Sequence, residues 1–489
     1  MHIRSPRDHC VPTTICSWIP AGALLLLAAC TTPPPEPLAP RDLAREVAIR
    51  ADTPREVLLA ALALHDAPPL GLALPADLDP KRDADRDVFW HAHAVAFAPV
   101  VRASRRAWRA VQIDEGAAGN PDRPGLMYRM EDGGEPDRQN DVRATVDLLG
   151  LLGLGPKAAE RELAAEVTGL AHGKLEEAVW SAAFAVDRAR VRLAAARQFH
   201  ASLEQHLISA RAGLRRIRML QERGRLGEGL VSRAQAVLAS LETDLSFLAR
   251  DVARAREALA HAAGVPAHAT AIETLHDDLI DREITLPLHV PKATELLVSV
   301  PTLRSRQLAY AVAEARLRAA AAEWWPRLQI GPHFKIRPDE LLSGGVVSLD
   351  LPWPATVEAN IDAAVERRTQ AREAVVDALA AAVASVETRR DELRYALEHR
   401  THHARRLDVE SARAWRAARA RLEVLEGADV VDTWIDALQL RAKGALAPTG
   451  AARHVLLTDL AYREIAGKLP GLDAGPAAPG RGAGAGGSP

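Results

Sequence analysis

Hydrophobic positions along this chain follow two spacings, a helical one sustained over long stretches and a strict alternation confined to short ones, and both recur in the same order in each half. In the first half, Leu126, Tyr128 and Met130 alternate with Met127 and Arg129, and Val142, Ala144, Val146 and Leu148 alternate with Asp141, Arg143, Thr145 and Asp147. Side chains two apart share one face of a strand, so these runs predict two strands, about 124–131 and 141–150, joined by an acidic, glycine-containing loop. From Lys157 to about Arg223 the chain then runs without proline in a helical pattern. At 1.5 Å per residue, such a run makes a rod on the order of 100 Å. Glycines at 224, 227 and 229 turn the chain, and a returning helix runs from Ser232 to Gly264. In it Leu238, Leu241, Leu245, Leu248, Val252, Ala255, Leu259 and Ala262 form the seam of an antiparallel coiled-coil partner. The expectation is a helical hairpin over about 156–263 with its tip near 224–230.

The second half repeats the plan. Pro301 opens a helix that Pro326 stops; Leu328, Ile330, Phe334 and Ile336 then alternate with Gln329, Gly331, His333 and Lys335, and Val347, Leu349, Leu351 and Trp353 with Val346, Ser348 and Asp350. This predicts strands at about 327–336 and 344–353, with Pro352 and Pro354 ending the second. A long helix, about Ala355 to Leu425, carries Leu379, Val383, Val386, Leu393 and Leu397 on one seam interrupted by Arg390. It breaks near 426–430, giving a second hairpin over about 355–466. The turn glycines Gly227 and Gly427 lie about 200 residues apart, as do the strand pairs, so the chain reads as a duplication of one helix-strand-strand-helix unit, 41–266 and 267–469. Short helices at 41–50 and 53–65 and a longer one, about Val88 to Ala110, precede the first strand pair. A Gly-, Pro- and Ala-rich tail, 470–489, is expected to be disordered.

A strand of about ten residues with one apolar and one polar face matches a transmembrane barrel strand, and it equally matches a soluble sheet with one face on a core. Four strands do not close a barrel, and open edges are untenable in hydrocarbon, so the membrane alternative requires a symmetric oligomer pooling its edges. Trp324, Trp325, Trp353 and Tyr128 at or near strand ends fit a membrane interface. The N-terminus favours the membrane alternative. Arg4 and Arg7 precede an apolar stretch, Ile19–Ala29, too short to span a bilayer, and Leu27-Ala28-Ala29-Cys30 follows the pattern of an export signal, 1–29. Those four residues resemble the bacterial lipoprotein box, which implies lipidation of Cys30, and Thr31 after the cysteine implies sorting to the outer membrane. The Pro-rich stretch within 30–40 is then a stiff tether.

Composition narrows the field further. A net charge of −2 on 489 residues argues against wholesale binding of nucleic acid. Aromatics make up only 4% and alanine much of the apolar share, which favours long helices packed closely over a wide globular core. The three cysteines end at Cys30, leaving no thiolate for a disulfide or metal site in the rest of the chain.

The motifs together resemble the TolC family of outer-membrane efflux channels. Pro301 through Ala315 to Pro326-Arg327-Leu328 resembles that family's helix ending in proline before a strand, Leu349 to Trp353 its strand entering the descending helix, and Gly427 through Asp436-Ala437 its periplasmic tip turn, with Gly229-Leu230-Val231-Ser232 as the counterpart. The helix before the first strand departs from the pattern, lacking a terminal proline. The resemblance implies a mainly α fold with a small β part: long antiparallel coiled-coil hairpins plus four strands per copy of a trimeric, 12-stranded transmembrane barrel. It implies a homotrimer that works with a periplasmic adaptor and an inner-membrane pump to export small molecules such as drugs or metals, or proteins, with no enzyme activity and no cofactor. On this basis Arg143, Thr145, Asp147, Gln329, Lys335, Ser348 and Asp350 are expected to face the barrel lumen. Gly227, Gly229 and Gly427 form the tip turns, and Asp436, with Asp432 and Asp429, is the candidate aperture acid.

Other constellations carry less. His399, His402 and His403 share a helix face but have no acid at ligand spacing, so no metal site is assigned; His91 and His93 diverge on a helix. Arg211, Arg215, Arg216 and Arg218 suit contacts between helices. No phosphate loop, nucleophile elbow or paired-carboxylate site is present in the sequence. The alternative function is a lipid-anchored coiled-coil adaptor or spacer without a pore.

Overall fold

A computed structural model describes residues 83–118, 125–131, 139–152, 155–269, 278–337 and 340–468, with positions 45 and 272 besides. Of the two compact units, Met1–Ala48 contributes only Arg45 to the described residues, and every element below belongs to Ile49–Pro489. The export signal, Cys30, the tether, the helix expected at 53–65 and the tail lie outside the described residues, as does all but residue 45 of that expected at 41–50.

The chain order is α1 (Asp83–Phe97), α2 (Pro99–Ala118), β1 (Gly125–Glu131), β2 (Gln139–Asp147), α3 (Leu148–Leu151), α4 (Pro156–Glu222), α5 (Glu228–Ala263), α6 (Ala293–Ser299), α7 (Pro301–Ala322), β3 (Arg327–Arg337), β4 (Glu340–Asp350), α8 (Pro354–Glu398), α9 (Arg405–Val424) and α10 (Ala428–Ala466). Prolines start α4, α7 and α8, where the missing N–H is one the first turn does not need. Left-handed glycines end α5 and α10: Gly264 has φ 70° and Gly467 φ 73°, and in both cases the next amide reaches back to a carbonyl of the last turn.

Each hairpin uses its apolar stripe against more than its own partner. Leu238 and Leu241 of α5 are buried near the tip with Leu207 and Ile217 of α4, Trp415 of α9 and Trp434 of α10, so one core joins both hairpins. Further along the same stripe, Val252, Ala255 and Leu259 pack on Trp90, Val95, Val179 and Val186. Likewise Leu379, Val383 and Val386 of α8 pack with Leu296, Leu303 and Tyr462, whereas Leu393 and Leu397 meet Val455. Arg390 interrupts that seam by sending its Nε to the carbonyl of Pro287 at 3.3 Å.

Four boundaries differ from the sequence expectation. The helix expected over Val88–Ala110 is split at Pro99, whose missing N–H leaves the Val95 carbonyl without its ladder donor; Arg105 Nη2 supplies that donor at 2.8 Å. The strand expected at about 141–150 ends at Asp147, where Leu148–Leu151 turns helical. The last strand, expected at 344–353, runs Glu340–Asp350: Pro352 ends it early, and Gly344 and Gly345 stay within the ladder rather than in a turn.

The fourth difference is in the long second-half helix. The single helix expected over Ala355–Leu425 contains a π-helical segment, His399–Ala404, between α8 and α9. The buried positions show what it does: Val386 and Leu393 are seven apart, and Ala404, Ser411 and Ala418 seven apart again, but the buried Ala396 and Ala404 between them are eight apart. That step holds one residue more than a heptad, and the wider π turn takes up the extra residue.

The strands form one antiparallel sheet in the order β1-β2-β3-β4, so the pair from each half joins through β2 and β3. The outer edges of β1 and β4 have no strand partner among the described residues.

Candidate functional site

The sheet is inverted relative to a soluble one. Ile330, Phe334, Ile336, Leu341, Val347 and Leu349 are all exposed, Val347 at 74%. Within β3 the polar alternates Gln329, His333 and Lys335 are half-buried, whereas Ile330, Phe334 and Ile336 are exposed. Register pairing puts Val146, Ile330 and Val347 in one cross-strand row and Val142 and Phe334 in another, so the apolar side chains share a face on which no buried core cluster of the described residues packs. An exposed apolar face of this extent marks contact with a partner or with lipid. At the helix end of the sheet, Trp324, Trp325 and Trp353 are also exposed, the last at 82%, as is Tyr128 in β1, whose hydroxyl donates to Asn140 at 3.0 Å.

The opposite face gathers the polar residues, with Met127, Leu342 and Val346 among them. Register puts Arg143 opposite His333, Asp141 opposite Lys335, and Asp147 opposite Gln329, which in turn lies opposite Ser348; Arg327 faces Asp350. Thr145 lies on the same face by alternation, so all seven residues expected to line a lumen share it. Its densest contacts involve two residues that the sequence did not single out. Asp141 accepts from Arg143 Nε at 3.0 Å and Nη2 at 2.6 Å, and His333 Nε2 lies 2.5 Å from its other oxygen. Alternation alone places Asp141 and His333 on the polar face; their meeting depends on the β2–β3 register, which no local pattern encodes.

At the far ends of the hairpins, Asp429, Asp432 and Asp436 recur at three and four along the start of α10, on the face opposite the buried Val431, Trp434, Ile435 and Leu438. Asp432 accepts from Arg233 of α5 at 2.7 Å, and Arg225 lies 3.4 Å from Glu426, so two ion pairs join the tips of the two hairpins. Asp436 is exposed and has no ion-pair partner among the described residues. Gly227 and Gly427 are the residues before α5 and α10, and Gly229 lies in the first turn of α5. None of the three takes a left-handed conformation; that role falls to Gly224, φ 68°.

Between sheet and tip, histidines that the sequence left without a role are buried. His91 Nε2 lies 2.7 Å from Asp187 Oδ2, and Arg190 Nη1 donates to Oδ1 of the same carboxylate at 3.3 Å. His93 is packed among Phe89, Trp90 and Phe97, and burial lowers its pKa from 6.5 to about 4. Arg211 pairs with Glu242 across the first hairpin, at 2.8 Å. The three histidines at 399, 402 and 403 lie on the π-helical segment, and among the described residues no three side chains are grouped to hold a metal. No described helix is long and apolar enough to cross a membrane.

No family model matches this sequence, and no curated protein matches it. Solved structures do. The outer-membrane channel OprN aligns with a TM-score of 0.67 at 17% identity, over 83% of this chain and 95% of its own. The outer membrane protein VceC of Vibrio cholerae gives 0.62 at 16%, over 78% and 96%, and the MtrE outer membrane channel of Neisseria gonorrhoeae, in its open state, 0.62 at 17%, over 78% and 88%. This chain has the fold of the TolC-like outer-membrane channels.

Proposed function

We propose that three copies of this chain close their sheets into a twelve-stranded barrel in the outer membrane and their hairpins into a periplasmic tunnel, forming the exit duct of a tripartite efflux system. The observation that carries this is the inverted sheet: exposed apolar residues on one face, a hydrogen-bonded charged network on the other, and two open edges. Lipid covers the first face, water fills the space beside the second, and β4 of one copy pairs with β1 of the next. The eleven-residue β3 and β4 are long enough to cross the hydrocarbon when tilted. Exposed tryptophans at the helix end fit the interfacial girdle.

Cys30 carries the lipid anchor in this proposal, and a periplasmic adaptor and an inner-membrane pump deliver small molecules or proteins to the tip. Three copies bring Asp436 and its neighbours around a three-fold axis, where clustered acids favour cations and resist closure. Asp436→Asn is expected to change conductance or its block by divalent cations in planar bilayers; unchanged values would remove the aperture role. For the whole proposal, the mature chain extracted in detergent is expected to migrate as a heat-modifiable trimer. A water-soluble monomer would refute it and favour a spacer.

A further inference from the structure

We propose that the π-helical segment carries a binding site for a divalent transition-metal ion such as Zn²⁺, chelated by His399 and His403 and completed from α10 by His454. The rings of His399 and His403 lie 5.6 Å apart between centroids, tilted 35° to one another. Two histidines four apart on one helix face are a spacing with which helices chelate zinc. A Zn–N bond of about 2.0–2.1 Å puts each ring centroid about 3.2 Å from the ion, so two rings sharing a tetrahedral ion stand about 5 Å apart. Both histidines are exposed, and small rotations of their side chains close the difference.

The tertiary structure adds what the local spacing lacks. His454 and Glu398 line the same surface hollow as the pair, with a volume of about 490 Å³. No three of these groups stand gathered around one point, so the pair supplies the first hold. His454, also exposed, turns in as the third nitrogen, water takes the fourth position, and Glu398 adds negative charge at the rim. The neighbouring guanidiniums are directed to other partners. Arg400 donates to the carbonyls of Arg282 and Ile280 at 3.3 and 3.5 Å, and Arg453 lies over the Phe199 ring. Arg406 donates to Glu410 at 2.7 Å, Arg394 lies 3.2 Å from Asp391, and Arg405 does not line the hollow. Imidazole nitrogens select zinc, copper or nickel over magnesium and calcium, which prefer oxygen ligands. Arg400 stands where helices of zinc hydrolases carry a glutamate base, so the arrangement suits binding and not hydrolysis. An ion held from both elements ties the π turn to α10.

The test titrates Zn²⁺ calorimetrically into the full mature chain, extracted in detergent and prepared without a histidine tag, at neutral pH. The site lies within one copy, so the result does not depend on whether the chain forms a channel. Losing a ligand should cost at least as much as losing an outer-shell partner does, so His399→Ala and His403→Ala are each expected to weaken binding by about 10–100-fold. His454→Ala should weaken it less, and His402→Ala, outside the hollow, should leave it unchanged. Zn²⁺ should also raise the thermal midpoint of the wild type, and not that of His399→Ala with His403→Ala, because the ion binds the folded chain. All the altered side chains are exposed, and equal midpoints of wild type and variants in the presence of a chelator verify that the fold is intact. Titrations of His399→Ala and His403→Ala that match the wild type would overturn the site. A loss in His402→Ala as large as that in His403→Ala would overturn the assigned pair, and an unchanged affinity in His454→Ala would overturn the link to α10.

Discussion

Placing an arginine at Val347 tests directly whether the exposed apolar face meets lipid or water. Val347 is 74% exposed and lies three residues from the Asp350 end of an eleven-residue strand. With 3.3 Å per residue and a tilt near 40°, it sits about 8 Å in from that end. An arginine facing lipid costs about 2–4 kcal/mol at the bilayer midplane and about 0–1 kcal/mol at the interface, so at this depth Val347→Arg should cost about 2 kcal/mol per chain and about 6 kcal/mol per trimer. On a water-exposed surface the same change falls within about 0.5 kcal/mol. Ser348→Arg, one residue on and pointing to the other face, provides the comparison and should cost little. The assay is urea unfolding of vesicle-reconstituted protein, with the folded fraction read from heat-modifiable gel migration. Coincident midpoints for the two variants would mean that the apolar face is not in lipid.

Acid should weaken the helical part through His93. Its folded pKa of about 4 lies below the unfolded 6.5, so the unfolded chain takes up a proton that the folded chain refuses; stability falls as pH drops from 6.5 to 4, by about 3 kcal/mol in all, and urea titrations at pH 7, 5 and 4 should show a dependence that His93→Phe reduces. Asp187→Ala removes the carboxylate that both His91 and Arg190 contact in a buried site, and should cost about 3–5 kcal/mol, measured by denaturant unfolding of the helical signal. Gly264→Ala would place a methyl group 2.1 Å from the Phe97 carbonyl oxygen at φ 70°, and should lower the thermal midpoint markedly, whereas Gly227→Ala, with open space around it, should be nearly neutral. Arg233→Ala breaks an exposed ion pair to Asp432 and should change stability by no more than about 1 kcal/mol, a cost that double-mutant cycles can resolve.

The amino-acid sequence by itself determined the parts with local causes. Proline and glycine positions ended the helices, the seams through Leu238 and Leu379 marked them as hairpins, and period-two alternation marked Arg143 and Lys335 as polar-face residues, because side-chain periodicity follows from backbone geometry alone. Tertiary structure decided what depends on groups far apart in the chain. Arg105 filling the acceptor left by Pro99, His91 meeting Asp187 across 96 residues, Arg233 reaching Asp432 and His333 reaching Asp141 all follow from how helices and strands align in space. The direction of the sheet's two faces belongs to this second group. Alternation separates apolar from polar residues but is the same for a sheet packed on its own core and for one turned outward; the exposure of Ile330 and Val347 among the described residues distinguishes them, because burial is a property of neighbours and not of the strand.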